Sequence, residues 1–237
     1  MYLSLMKNMV LLIAAFFTLG LTCAQSELAN TKVVDSLFRE DQFYVGVTYN
    51  ILLDMPSGLS QNGFSTGLQL GFIRDFPVSK NRQFAVGLGL GISTNSYNQN
   101  LLINKAGNNF NFNVISDDAL SYTKNKFYTH TLDIPLELRW RNATADSYKF
   151  WRIYTGVKFS YMFANASKFE GDLGEIRHTN IDVFNLFQYG ATLSLGYNTW
   201  NFYVYYGLNT LFDNQKIDNG SNLDISTVKV GLVFYMF

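Results

Sequence analysis

The chain has 237 residues and balances 18 Lys+Arg against 18 Asp+Glu, so it has no basic surplus to neutralise phosphates and does not read as a nucleic-acid binder. Charged residues make up only 15% and aromatics 16%, against about 25% charged in ordinary soluble domains, which excludes disorder and argues against a conventional soluble surface. One cysteine supports neither a disulfide framework nor a CxxC metal site.

At the start, Lys7 precedes a 13-residue apolar run, Met9–Leu21, and Thr22 and Ala24 supply small residues before Gln25. This pattern predicts a secretory signal peptide over 1–24, too short for a membrane helix. Cys23 follows Gly20-Leu21-Thr22, a poor lipidation signal because glycine stands at its first position. Residues 25–40 then form a short segment expected in the periplasm.

Elsewhere no run reaches the roughly 18 apolar residues of a membrane helix, and period-two alternation dominates. Strands are predicted at 42–53, 63–75, 83–95, 127–141, 150–164, 184–199, 201–213 and 225–237. In the first, Phe43, Val45, Val47, Tyr49 and Ile51 share one parity; in the third, Phe84 to Ile92 do so. The fourth offers Leu132, Ile134, Leu136, Leu138 and Trp140, and the fifth Trp151, Ile153, Val157, Phe159, Tyr161 and Phe163. In the seventh the set is Phe202, Val204, Tyr206, Leu208 and Phe212.

The opposite parity carries eleven of the 18 glycines, among them Gly46, Gly71, Gly87, Gly91, Gly156 and Gly231. That would be a strange solvent surface, but it suits a narrow lumen where small residues make room for Tyr44, Tyr154, Tyr203 and Tyr205. Apolar outside with small and polar inside is the transmembrane β-barrel pattern, and a closed barrel is the only sheet that satisfies its backbone in lipid. In the last strand Val228 to Met236 form the better lipid face, which turns Tyr235 and the terminal Phe237 inward.

Connections at 76–82, 142–149 and 200 are short, and those at 54–62, 96–126, 165–183 and 214–224 are longer. This alternation predicts periplasmic turns, external loops and periplasmic termini. The Asn-rich connection 96–126 reads as a solvated loop, although Phe110–Val114 alternates well enough for a hairpin whose edge could meet a partner strand.

Inward-facing charges cluster. Asp133, Glu137 and Arg139 alternate on the fourth strand, and Arg152 and Lys158 take the inward parity of the fifth. Two readings follow: a solute-selecting constriction, or a plug of paired charges filling an interior only wide enough for side chains. Pro135 sits mid-strand and removes a ladder donor, so a strand irregularity is expected there. Two histidines, His130 and His178, allow a triad with Ser121 and Asp133 or with Ser167 and Asp182, but spacing selects neither set. No GxSxG, P-loop, HExxH or EF-hand loop is present in the sequence.

Several segments resemble the PorT-like outer-membrane barrels of Bacteroidetes. They are Asp35-Ser-Leu-Phe-Arg-Glu-Asp-Gln-Phe-Tyr44, Tyr97-Asn-Gln-Asn-Leu-Leu-Ile103, Leu132-Asp-Ile-Pro-Leu-Glu-Leu-Arg-Trp140, Tyr148-Lys-Phe-Trp-Arg-Ile-Tyr154, Phe187–Ala191 and Gly196–Trp200. The resemblance spans about 35–237 and implies a part in type IX protein secretion and, in some members, gliding. It supplies no catalytic residues.

The expectation is thus an all-β, eight-stranded antiparallel transmembrane barrel at 41–237 in the outer membrane. It would be a non-enzymatic accessory of type IX secretion without cofactor or metal. Expected partners are outer-membrane lipids, lipopolysaccharide and secretion-machinery proteins. The alternative is an independent small barrel acting as a porin, adhesin or membrane stabiliser.

Overall fold

Strict alternation of large apolar with small or polar residues builds strands whose two faces meet different media. The computed structural model describes residues 41–236 except 80, 108, 117–119 and 143–149; the expected signal peptide and the segment 25–40 lie outside the described residues, as does Phe237. Among the described residues eleven strands form: β1 (Gln42–Leu53), β2 (Thr66–Pro77), β3 (Phe84–Asn98), β4 (Leu101–Ala106), β5 (Asn109–Val114), β6 (Tyr122–Arg141), β7 (Trp151–Gly171), β8 (Gly174–Thr179), β9 (Phe187–Tyr197), β10 (Trp200–Gly207) and β11 (Ser226–Met236).

Eight of them make one closed antiparallel barrel. The order β6-β3-β2-β1-β11-β10-β9-β7 is completed by pairing of β6 with β7, and β1 joins β11 from Phe43↔Met236 to Leu53↔Ser226. No barrel strand is left with an open edge along its membrane length, as lipid requires. Among the described residues no helix is long and apolar enough to cross a membrane.

The outward rows carry Phe43, Leu70, Leu90, Leu138, Phe159, Leu195 and Phe202, all exposed. All three tryptophans, Trp140, Trp151 and Trp200, lie beside the short turns, with Trp151 against Tyr197 and Trp200 against Phe234. At the other end Tyr161 packs on Phe187 and Tyr49 on Phe64. Ten residues of β7 separate Trp151 from Tyr161, about 33 Å along the strand or roughly 25 Å along the axis at a tilt of ~40°, the height of an outer-membrane belt.

Beyond Tyr161 the barrel wall continues. The β6–β7 register shifts between His130 and Thr131, leaving Phe163 as the extra residue opposite them. Past this bulge the outward residues become Lys124, Lys126, Lys168 and Glu170 in place of Leu, Ile and Phe. The change of polarity marks where lipid ends. β8 then pairs with the far part of β7, from Ala166↔Thr179 to Gly171↔Gly174.

Pro135 interrupts the ladder toward β3, which runs to Leu88↔Leu136 and resumes at Gly91↔Asp133 in the same register, while toward β7 it stays paired with Lys158; the bulge itself lies nearer the long-connection end. The missing proline donor is accommodated toward β3, where Gly89 gives the ring room. The seventh predicted strand also runs too far. β10 stops at Gly207, because Leu211 and Phe212 are consecutive apolar residues that both turn inward and are both buried, which no alternating strand allows.

Connection 96–126 contains the β4–β5 hairpin, with Lys105 opposite Phe110. It belongs to a crown over the long-connection end. There Leu59, Leu101, Phe112, Phe184, Phe212 and Ile217, drawn from all four long connections, share one buried core with Tyr97, Phe127 and Met162 of the barrel strands. Asn100 is a clamp rather than a solvated loop residue. Its side chain accepts from Ser60 N at 2.7 Å and donates to Gly58 O and Ile115 O, each at 3.0 Å.

Candidate functional site

Two features could carry function: the filled lumen and the crown. In the lumen the sequence-predicted charges form two clusters, not one. At the short-turn end the guanidinium of Arg139 meets Asp75 of β2, and Arg141 reaches the other oxygen of Asp75 at 2.8 Å. Arg139 also donates to Gln42 at 2.6 Å and lies 3.6 Å from Glu137 on its own strand. Its planar face stacks on Tyr154 at 3.8 Å and stands 5.2 Å from the Tyr235 ring. Arg139 and Asp75 are both wholly buried, so each needs the other.

Further in, Lys158 lies 3.7 Å from Asp133 and donates to Gln69 at 2.7 Å. Asp133 accepts from Thr131 at 2.8 Å, from Ser160 at 2.7 Å and from Ser93. The rings of Tyr203 and Tyr205 face the Lys158 ammonium at 5.1 and 5.7 Å. Arg152 stands apart from both clusters, over the Phe150 ring at 4.5 Å. Of the five charges singled out by sequence, then, Asp133 joins Lys158, Glu137 joins Arg139, and Arg152 joins neither.

Asp75, Arg141, Gln42 and Gln69 were not singled out. Their parity was readable, since Asp75 shares the inward row of Gly67 and Gly71, and Arg141 that of Arg139. What parity does not give is reach. Arg139 meets Asp75 two strands away because Gly87, on the strand between, has no side chain; a Cβ there would stand 2.7 Å from Arg139 Cδ.

Between the two clusters lies a cavity of about 10 Å³, bounded by Gln69, Pro135, Glu137, Lys158 and Tyr203. This is room for about one water, not for a passing solute. Above it Thr48, Asn50 and Asn95 are linked side chain to side chain, at 2.8 and 3.4 Å, beneath the apolar crown.

The histidines do not build a triad. His130 lies on the outward face, 3.0 Å from Thr94 Oγ1, while Asp133 points into the lumen. His178 stands opposite Ser167 in the β7–β8 pair, but its ring packs edge-on against Phe110, and Asp182 is exposed. Among the described residues no group of three or more His, Cys, Asp or Glu side chains could hold a metal.

The outward face of the crown's wall is charged. Glu170 is held by Lys124 at 2.8 Å and Lys168 at 2.5 Å, and Glu175 adds a second carboxylate to Lys168 at 3.2 Å. Hydrogen bonds from the two ammonium groups lower the Glu170 carboxyl to about 2, and the same bond to Glu170 raises Lys168.

A family model described as outer membrane protein beta-barrel domain matches residues 23–213. The chain belongs to that family. Membership agrees with the closed barrel, its apolar belt and its two aromatic girdles, and it sets the outer membrane as the protein's location. No curated protein matches the chain significantly. Among solved structures, Ail, the attachment invasion locus protein of Yersinia pestis, is similar at 11% identity and TM-score 0.34, over 83% of this chain and 97% of that one. Ail in complex with the heparin analogue sucrose octasulfate is similar at 12% identity and TM-score 0.35, over 84% and 99%. Likenesses this low carry no weight for function.

Proposed function

We propose that this outer-membrane barrel is a non-enzymatic, non-conducting accessory component of type IX protein secretion, with its termini in the periplasm and its crown outside the cell. The observation that carries the binding role is the crown itself. Four long connections share one apolar core instead of hanging as separate loops, so they hold a shaped surface ready for a protein partner at little ordering cost. A lumen filled by Arg139, Asp75, Lys158 and five tyrosines favours support over passage, with the charges acting as a plug. The PorT-like segments supply the pathway, because resemblance and not geometry connects the chain to secretion. Surrounding lipids would be phospholipid on the turn side and lipopolysaccharide around the crown.

A second reading, an independent barrel acting as an adhesin or membrane stabiliser, is favoured by the charged wall formed by Lys124, Lys168, Glu170 and Glu175. A clean gene deletion separates the two. Selective loss of type IX cargo from the medium, with other outer-membrane barrels at normal levels, supports the secretion reading. Normal cargo export contradicts it and leaves the independent barrel.

A further inference from the structure

Between the aromatic girdles the outward rows of the described residues carry no charge except at one place, and the hydroxyl of Thr155 on those rows donates to Thr192 O at 3.2 Å. Among the described residues Arg74, with its neighbour Asp41, is the only charged side chain on the lipid-facing parity of the belt. Arginine on that face is costly unless its head finds a polar partner. Asp41 offers little: its carboxylate stands 3.6 Å from Arg74 Nε, too long for a hydrogen bond, and the Arg74 side chain is half exposed.

The same rows lead directly into a groove. Phe43 stands opposite Phe72, and Phe72 opposite Leu90, each one step along its row from Asp41 and Arg74. From there an apolar cavity of about 500 Å³ runs over the wall, bounded by Phe72, Leu90, Ile92, Leu132 and Met236. Its floor is the backbone of Gly71 and Gly91, paired across β2 and β3 with their Cα hydrogens on the lumen side against Tyr44. A volume of this size falls in the range of small-molecule sites, about 300–1,000 Å³. A half-exposed cation one step along the row from an apolar trough matches one chemistry: an anionic head with a long hydrocarbon tail.

We propose that Arg74 and this groove form a specific glycerophospholipid site, with the lipid phosphate on the Arg74 guanidinium and one acyl chain lying over Gly71 and Gly91 against Phe72 and Leu90. The bidentate fork of arginine suits a phosphate oxygen pair, and extended hydrocarbon fits a trough with almost no polar lining. Snorkelling brings the guanidinium toward the short-turn interface, where a headgroup would sit. The choice of phospholipid over lipopolysaccharide rests on the orientation proposed above. Protease protection of the crown on whole cells tests that orientation separately, so a reversed barrel and a failed lipid site are told apart.

The test is native mass spectrometry of the full-length barrel in detergent, titrated with palmitoyl-oleoyl phosphatidylglycerol. One lipid per barrel is expected to be retained well above the rest. Arg74→Ala is expected to weaken that retention at least tenfold and Arg74→Lys less. Leu90→Trp, which fills the groove and leaves the cation in place, is expected to weaken it at least tenfold as well. Heat-modifiable gel migration verifies that each variant is folded. Diacylglycerol with the same chains and inorganic phosphate alone are expected to bind at least tenfold more weakly. Retention within twofold of wild type in Arg74→Ala or Leu90→Trp would overturn the site, as would equal retention of diacylglycerol or preferential retention of lipopolysaccharide.

Discussion

Arg139 on β6 reaches Asp75 on β2 by crossing Gly87 on the strand between them. The pair spans three strands and fixes one side of the barrel with a single buried contact. Arg141 shares the same carboxylate, so Asp75 is the acceptor for two buried cations. Neutralising it removes their shared anionic acceptor.

Asp75→Asn is therefore expected to destabilise the folded barrel by about 3–5 kcal/mol, the usual cost of breaking a buried ion pair by removing one partner. Urea unfolding in lipid vesicles measures this. In a double-mutant cycle with Arg139→Met, the combined loss should be clearly smaller than the sum of the single losses. Additive losses would mean that the two residues do not act as a pair.

Gly87 is expected to tolerate no side chain. The Cβ of Gly87→Ala would stand 2.7 Å from Arg139 Cδ, inside a wall where Arg139 is also held by Gln42 and Tyr154. Gly87→Val should lose more stability than Gly87→Ala in the same assay, typically ~1–3 kcal/mol for an overpacked position. Equal stability of all three proteins would show that Arg139 does not cross there.

The crown and the barrel should respond separately to Phe212. Its ring is buried against Phe184 at 4.7 Å, Phe112 at 5.6 Å and Phe127 at 5.9 Å. Phe212→Ala is expected to cost the crown about 3–5 kcal/mol and to speed proteolysis of the segments 99–121 and 208–225. Heat-modifiable migration of the barrel should persist. Unchanged protease resistance would contradict a shared crown core.

Acid should loosen the charged wall of the crown within a definite window. The Glu170 carboxyl is lowered to about 2 in the folded protein by hydrogen bonds from Lys124 and Lys168, against an ordinary value near 4.5. A depressed carboxyl contributes stability that is fully present above the unfolded value and is lost as pH falls from about 4.5 to about 2. Carboxyl-carbon NMR should place the Glu170 midpoint near 2, and Lys124→Met with Lys168→Met should return it toward 4.5. A midpoint near 4.5 in the wild type would remove the ion pair from the account. The groups lie at the protein surface in contact with solvent, so the contribution to stability is small.

The fold was legible because period-two alternation over eight stretches has few solutions. Glycines on the Gly46 and Gly156 parity then decided between a lipid-facing and a water-facing exterior. Strand ends were less legible, since they depend on what the chain meets beyond the membrane. β6 outruns its apolar row because Phe127 keeps the inward parity from lumen to crown, and β7 because the extra residue Phe163 flips its alternation and turns Phe169 inward. Phe212 looked lipid-facing by parity, yet Leu211 beside it breaks the alternation. Among the site residues, Asp133 and Lys158 could be paired from neighbouring strands alone. The Arg139–Asp75 contact could not, because it depends on an empty position on a third strand. Arg152 shared their parity but sits near the end of the lumen, where parity says nothing about partners.

The claim that this barrel acts through its crown and not through its lumen is tested most directly by conductance. Purified protein inserted into planar lipid bilayers is predicted to give no stable channel, because charge clusters, tyrosines and the apolar crown fill the path from end to end. A reproducible open conductance in the wild-type protein, at the size expected of a folded monomer, would contradict that claim and make the lumen the working part.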